Sequence, residues 1–148
     1  DYKVHPSVAI YLAQEKKIGL DKITTYRKFS KRIEANKRRL VSLLRQLRVK
    51  NKRIAGYGAS AKGNTLLNYF GIGTKTLEYI VDDSVYKHGL LTPGTHIPVM
   101  AVEKIYVDKP DYLLLLAWNF AQPIMQQHRK YTKQGGKFIL PLPYPKIV

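Results

Sequence analysis

The sequence contains no cysteine. A chain without cysteine can form no disulfide framework, no thiolate zinc site and no cysteine nucleophile. Metal binding would then depend on four histidines, and no two of them have the spacing of a helical metal pair: His5, His88, His96 and His128. The sequence therefore excludes thiol enzymes and disulfide-stabilised scaffolds, and we expect no metal site in this chain.

Acidic residues are also scarce. The chain has 10 Asp and Glu against 26 Lys and Arg, which gives a formal net charge of +16 at pH 7. Most of the excess lies in residues 1–53, which hold 16 of the basic residues and 4 of the acidic ones. A basic field of this size attracts nucleic acid, anionic membranes or anionic small molecules. A solvated, lysine-rich helix surface has the same composition, so charge alone does not identify a ligand.

Long apolar runs are missing as well. The longest, at residues 112–118, is far shorter than the ~20 residues that a membrane-spanning helix needs. The N-terminus lacks the basic segment followed by an apolar one that marks a signal peptide. With 45% hydrophobic and 24% charged residues, the composition is that of an ordinary globular domain. We therefore expect a cytoplasmic globular protein.

Residues 1–50 are predicted to form an N-terminal helical segment that packs on or braces the domain. A first, short helix follows Ser7, a favourable N-cap, and stops at Gly19. Over residues 25–47, apolar side chains recur at steps of three and four, which predicts a long amphipathic helix packed on its own sheet. The predicted buried face consists of Tyr26, Phe29, Ile33, Leu40, Leu43 and Leu47, with Asn36 in the remaining place.

From residue 51 onward, strand and helix patterns alternate. Strands are predicted at 53–58, 77–82, 97–100, 112–117 and 137–140, and helices at 63–70, 101–106 and 120–133. Strands separated by helices imply parallel, right-handed crossovers with helices on both faces of the sheet. Residues 51–148 are therefore predicted to form a Rossmann-like, doubly wound α/β domain with a mostly parallel five-stranded sheet.

In such a sheet, ligands bind at the carboxyl ends of the strands. The first strand ends in the turn GYGASAKG, residues 56–63. Its glycines allow a tight turn and close approach, and the helix that follows directs unpaired N–H groups outward. Lys62 adds a charge, while Ser60, Asn64 and Thr65 add hydrogen-bonding groups. This turn is predicted to bind an anion such as a phosphate.

The glycine spacing is not specific by itself. It is wider than the usual dinucleotide fingerprint, and Asn64 stands where a Walker A loop needs lysine, so a structural turn without a ligand stays open. Asp82 lies 19 residues after Gly63, near the position of a carboxylate that accepts ribose hydroxyls. The same residue could equally cap a turn.

Two further segments are predicted at the same edge of the sheet. Lys87, Thr95 and His96 lie in a loop; His96 suits acid–base chemistry, although a lone histidine beside a strand is more often structural. Trp118 could stack on a base or sugar, or could close the core. The candidate binding residues are Gly58, Ala59, Ser60, Lys62, Gly63, Asn64, Thr65, Asp82, Lys87, Thr95, His96, Trp118 and Asn119.

Taken in order, these motifs resemble the C-terminal domain of S-adenosylmethionine-dependent sugar C-methyltransferases, which act on nucleotide-linked deoxysugars. The resemblance covers nearly the whole chain, with similar gaps. It rests on PSV at 6–8, GL at 19–20, YRKF at 26–29, GYGASAKGNTLLN at 56–68, PGTHIP at 93–98, DY at 111–112, WNF at 118–120, GGKF at 135–138 and PLP at 141–143.

The resemblance implies a division of labour among three parts of a longer enzyme. An N-terminal region binds zinc, a middle domain binds S-adenosylmethionine and supplies the general base, and the C-terminal domain helps to hold the nucleotide-sugar. It places Ser60, Lys62 and Asn64 on the phosphates or sugar, with the loops of Lys87 and of Thr95 and His96 bordering the same cleft. It assigns no catalytic residue to this chain, which is not expected to methylate alone.

The partners expected from this resemblance are a dTDP-type nucleotide-sugar and the upstream methyltransferase domain, with S-adenosylmethionine and zinc bound there. A start in mid-pattern without methionine favours a fragment of a longer protein. Two other functions stay open. One is a basic nucleic-acid-binding protein that uses residues 25–47 to track phosphates, and the other is a free-standing NAD-type domain.

Overall fold

The computed structural model describes residues 3–148, so the first two residues of the predicted helical segment lie outside it. The helices and strands, in chain order, are α1 Ser7–Ile18, α2 Ile23–Val49, β1 Ile54–Tyr57, α3 Ala61–Phe70, β2 Ile80–Val81, β3 Val99–Met100, α4 Lys104–Asp108, β4 Tyr112–Leu115, α5 Ala121–Gln127, α6 Arg129–Lys133, β5 Lys137–Leu140 and β6 Lys146–Ile147. The structure also contains two short 3₁₀ turns, Val85–Lys87 and Trp118–Phe120.

The chain divides into two compact units, Asp1–Ala35 and Asn36–Val148, and the division falls within α2. The division predicted after residue 50 stays a prediction. Within residues 3–148, none of the helices has both the length and the apolar character needed to cross a membrane.

In the first unit, α1 has no buried residue. Pro6 occupies the N-cap position, and the side chain of Ser7 makes no capping bond; its Oγ lies 2.9 Å from Nδ1 of His5. The prediction of Ser7 as the cap is therefore wrong, because Ser7 is already the first helical residue. The predicted end at Gly19 is confirmed: this residue has φ 75°, and its N–H bonds the carbonyl of Lys16.

The second unit contains a six-stranded sheet in the order β3-β2-β1-β4-β5-β6. The first five of these strands in sheet order are parallel, and β6 pairs antiparallel with β5 through Ile139 and Ile147. The α/β class and the mostly parallel sheet are confirmed. The count of five strands is wrong, because two exposed residues after a proline-rich segment add a sixth, which no hydrophobic pattern marks.

Helices lie on both faces of this sheet. Tyr57 of β1 belongs to a buried cluster with Ile105 of α4, Ile124 of α5 and Tyr131 of α6. On the other face α3 approaches the chain leaving β4 so closely that a Cβ added to Gly63 would lie 2.9 Å from Cβ of Leu116. The core therefore forms two layers around the strands, and the carboxyl ends of β1, β2 and β4 meet at one edge.

The long helix α2 buries only the residues of its second half. Asn36, Leu40 and Leu47 are buried as predicted, whereas Leu44 is buried in place of Leu43, which is half-buried. Tyr26 and Phe29, however, are 50% and 54% exposed. The prediction of a buried face along the whole helix is wrong at these positions. The amide Nδ2 of Asn36 donates to the carbonyl of Pro141 at 2.9 Å, while its Oδ1 is buried and has no hydrogen-bond partner in residues 3–148.

Candidate functional site

The glycine turn begins at Gly58, directly after β1. Its φ is +90°, and a Cβ added there would lie 2.6 Å from Cβ of Ala117. Its N–H donates to the carbonyl of Val81 at 2.8 Å. Gly56 is similarly constrained, since its Cβ would lie 2.8 Å from Cγ1 of Ile80. These glycines are required by the packing of the chain against itself, so they do not by themselves indicate a ligand.

Asp82, at the end of β2, holds the turn in place. Its buried carboxylate accepts from the N–H of Ala59 at 2.7 Å and from the N–H of Ser84 at 2.9 Å, and Nζ of Lys87 lies 3.0 Å from Oδ2. Three donors from its own chain thus surround this carboxylate, which is the turn-capping arrangement. The structure brings Asp82 and Lys87 together as an ion pair. Their roles toward a ligand stay predictions.

Ser60 is the N-cap of α3. Its Oγ accepts from the N–H of Gly63 at 3.1 Å, and its carbonyl accepts from the N–H of Asn64 at 2.9 Å. In the part of the chain that the structure describes, the N–H groups of Ala61 and Lys62 have no hydrogen-bond acceptor. Two free amides at the positive end of a helix dipole form an arrangement that favours an anion.

A cation and an aromatic ring meet at the same helix end. Nζ of Lys62 lies 4.9 Å from the ring centroid of Trp118 and 5.7 Å from that of Phe120. Trp118 is partly exposed and stands outside the buried cluster, so one face of the site carries an accessible indole. Asn119, beside it, is exposed.

The remaining predicted residues lie along α3. Thr65 is exposed, and its hydroxyl donates to the carbonyl of Ala61 within the helix at 3.2 Å. Oδ1 of Asn64 is buried and has no hydrogen-bond partner in residues 3–148. Nδ2 of Asn68 donates to the carbonyl of Pro93 at 3.0 Å and thereby fixes the loop at 93–96 against α3.

Two predicted residues belong to that loop. Oγ1 of Thr95 lies 2.7 Å from Oγ1 of Thr92, and His96 is exposed with a φ of +51°. Within residues 3–148, no hydrogen bond joins either residue to the N-terminus of α3. The hydrogen bond from Asn68 therefore joins this loop to α3, and the roles of Thr95 and His96 toward a ligand stay predictions.

A buried polar network at this edge escaped sequence reasoning. The hydroxyl of Tyr57 donates to the carboxylate of Asp83 at 2.9 and 3.1 Å and lies 2.9 Å from Nε2 of His128. Nδ1 of His128 lies 2.8 Å from the hydroxyl of Tyr106. The one sequence signal was Tyr57 itself, a polar aromatic inside the glycine turn. Nothing in the sequence links it to a histidine 71 residues away.

Burial sets the electrostatics of this network. It lowers the pKa of His128 and outweighs the opposing charge of Asp83. Burial, together with the hydrogen bond to Asp83, raises the pKa of Tyr57 well above its ordinary value. Both groups are therefore neutral at pH 7.

His128 also interrupts a predicted helix. The pattern at 120–133 indicates one helix, but the structure contains two, α5 and α6, with His128 between them at φ −103° and ψ 32°. The single helix is a wrong prediction. The buried imidazole is bound by two tyrosines from other elements, and such tertiary contacts are invisible to periodicity.

In the described residues, no group of three or more His, Cys, Asp or Glu is arranged to hold a metal ion.

Comparison with known proteins identifies the family. The profile of the C-methyltransferase C-terminal domain family matches residues 1–143. This chain belongs to that family. It is also 38% identical over 148 residues, 100% of its length, to the C-methyltransferase NovU of Streptomyces niveus. The chain spans 35% of the length of NovU, so it corresponds to about a third of that relative. The resemblance to C-methyltransferase C-terminal domains is thus confirmed.

Proposed function

We propose that this chain is the Rossmann-like domain that holds a nucleotide-linked deoxysugar in an S-adenosylmethionine-dependent C-methyltransferase. Methyl transfer itself belongs to an upstream domain, where S-adenosylmethionine and zinc would bind. This domain would hold the diphosphate at the N-terminus of α3, through the amides of Ala61 and Lys62 and the Nζ of Lys62.

The observation that carries the proposal is the pair of unpartnered amides beside a lysine and an accessible indole. The position agrees with the topology: β1 and β4 are neighbours, while β2 and β3 lie on one side and β5 and β6 on the other. Ligands of open α/β sheets bind at such a reversal of strand order. Trp118 then offers a surface on which a base or sugar can stack.

Substitution of Lys62 tests the proposal. We expect Lys62→Ala to weaken dTDP binding by roughly 5- to 30-fold, because one charge-assisted contact to phosphate is lost. Binding of unphosphorylated thymidine should change far less. Isothermal titration of the full chain with both ligands measures the difference. Lys75→Ala is the matched control, because Lys75 is exposed and its loss changes the net charge equally.

Titrations at several salt concentrations separate this function from nucleic-acid binding through the basic surface of α2. The affinity for a pocket-bound diphosphate should fall only mildly with salt. The affinity for nucleic acid of a protein that makes 6–10 phosphate contacts instead falls about 10³–10⁵-fold between 50 and 200 mM salt. Equal losses of dTDP affinity in Lys62→Ala and Lys75→Ala would show that the lysine at the α3 N-terminus has no special role.

A further inference from the structure

We propose that Asp83 is a hydroxyl-binding residue, oriented by Tyr57, His128 and Tyr106, that accepts a hydrogen bond from the 3′-hydroxyl of the bound nucleotide. The inference rests on the proposed function and assigns a role to the network that the phosphate site leaves unused.

Asp83 is an available hydrogen-bond acceptor. It is exposed, and its carboxylate is bound by the hydroxyl of Tyr57. Although the chain carries 26 Lys and Arg, none of those in residues 3–148 forms an ion pair with Asp83. The neighbouring Asp82, by contrast, already has three donors from its own chain. Of the two carboxylates at the end of β2, Asp83 is the one with free lone pairs.

The orientation of the Asp83 carboxylate is fixed by a chain of hydrogen bonds. Because the Tyr57 hydroxyl donates to Asp83, its oxygen accepts from Nε2–H of His128. Nδ1 of that histidine then accepts from the hydroxyl of Tyr106. A neutral imidazole satisfies every bond, and burial lowers the pKa of His128, which keeps it neutral. The buried side chains of Tyr57 and His128 thus hold the Tyr57 hydroxyl against the exposed carboxylate of Asp83, which limits the conformations of that carboxylate.

The chemistry of Asp83 suits a hydroxyl ligand. A carboxylate repels phosphate and accepts hydrogen bonds from hydroxyl groups, so Asp83 fits the sugar part of a nucleotide and not its diphosphate. Its location is consistent with this. Asp82, the preceding residue, bonds the amide of Ala59 within the glycine turn, and Tyr57 directly precedes Gly58. A carboxylate at the end of the second strand is where nucleotide-binding sheets contact ribose hydroxyls.

The test is a titration of the full chain with dTDP and with its 3′-deoxy analogue. The wild-type protein should bind dTDP roughly 10- to 100-fold more tightly than the analogue, as expected for a hydrogen bond to a charged group. Asp83→Ala should bind the two with equal affinity. Tyr57→Phe should reduce the ratio severalfold without changing the affinity for the analogue, a result that a merely structural role would not produce. Asp21→Ala, an equal change of charge at an exposed position, should keep the wild-type ratio.

Equal affinity of the wild type for both nucleotides, or a wild-type ratio in Asp83→Ala, overturns the inference and leaves the proposed function standing. If the wild-type protein binds neither nucleotide, the proposed function fails, and this inference fails with it.

Discussion

At the scale of single residues, Gly58 shows that the glycine turn is built first for the chain itself. Gly58→Ala should lower the free energy of unfolding by about 2–5 kcal/mol, because a left-handed backbone costs ~1–2 kcal/mol in a non-glycine residue and the contact with Ala117 adds ~1–3 kcal/mol. Urea denaturation measures the change.

Gly71→Ala is the control for this prediction. Gly71 has φ +70°, but a Cβ there would meet nothing within 4 Å. Only the backbone cost of about 1–2 kcal/mol then remains. If the two variants lost the same stability, the close approach to Ala117 would not be what requires glycine at position 58.

Sequence reasoning at this scale found the turn but not all of its partners. The stop at Gly19 and the helix after the glycine turn follow from local rules about glycine and helix ends, whereas the anion site around Lys62 stays a prediction. The use of Asp82 as a brace for Ala59, and of Asp83 as a partner of Tyr57, depends on strands that meet only after folding. No spacing rule relates these pairs.

At the scale of elements, the network at His128 joins β1, the turn after β2, α4 and the break between α5 and α6. Because the folded-state pKa of His128 is lower than its unfolded value of about 6.5, the unfolded chain binds more protons just below that pH. The contribution of neutral His128 to the free energy of unfolding is therefore complete above about pH 6.5. It falls as the pH decreases below that value.

We expect the free energy of unfolding to decline from pH 7.5 to pH 5, and His128→Gln to flatten that decline while lowering stability at pH 7.5. Denaturation curves at several pH values measure both effects. His5→Gln, at an exposed position, should keep the wild-type dependence. If stability fell as steeply with decreasing pH in His128→Gln as in the wild type, the pH dependence would come from other groups.

The elements themselves were predictable to different degrees. The strand at 137–140 matches the structure residue for residue, and each of the other four predicted strands contains an observed one, because buried parallel strands are short apolar runs bounded by turns. The break at His128 and the strand Lys146–Ile147 were not predictable, since both depend on contacts with distant parts of the chain.

At the scale of the whole molecule, the chain corresponds to about a third of the relative that it matches. Family membership is established over residues 1–143, and the matched relative is about three times as long. The positive charge is concentrated in the first third, whereas the ligand site proposed here lies on the sheet of the second unit. A discrete phosphate site at α3 and a diffuse basic surface of residues 1–53 are therefore two alternatives that a binding experiment can distinguish.

The most direct test of that distinction is an NMR titration of the ¹⁵N-labelled chain with thymidine, dTMP and dTDP. We expect the amide signals of Ala61 and Lys62 to shift with dTDP, to shift less with dTMP and hardly to move with thymidine. Shifts confined to the basic residues of α2, or no shifts at Ala61 and Lys62 at saturating dTDP, would contradict it.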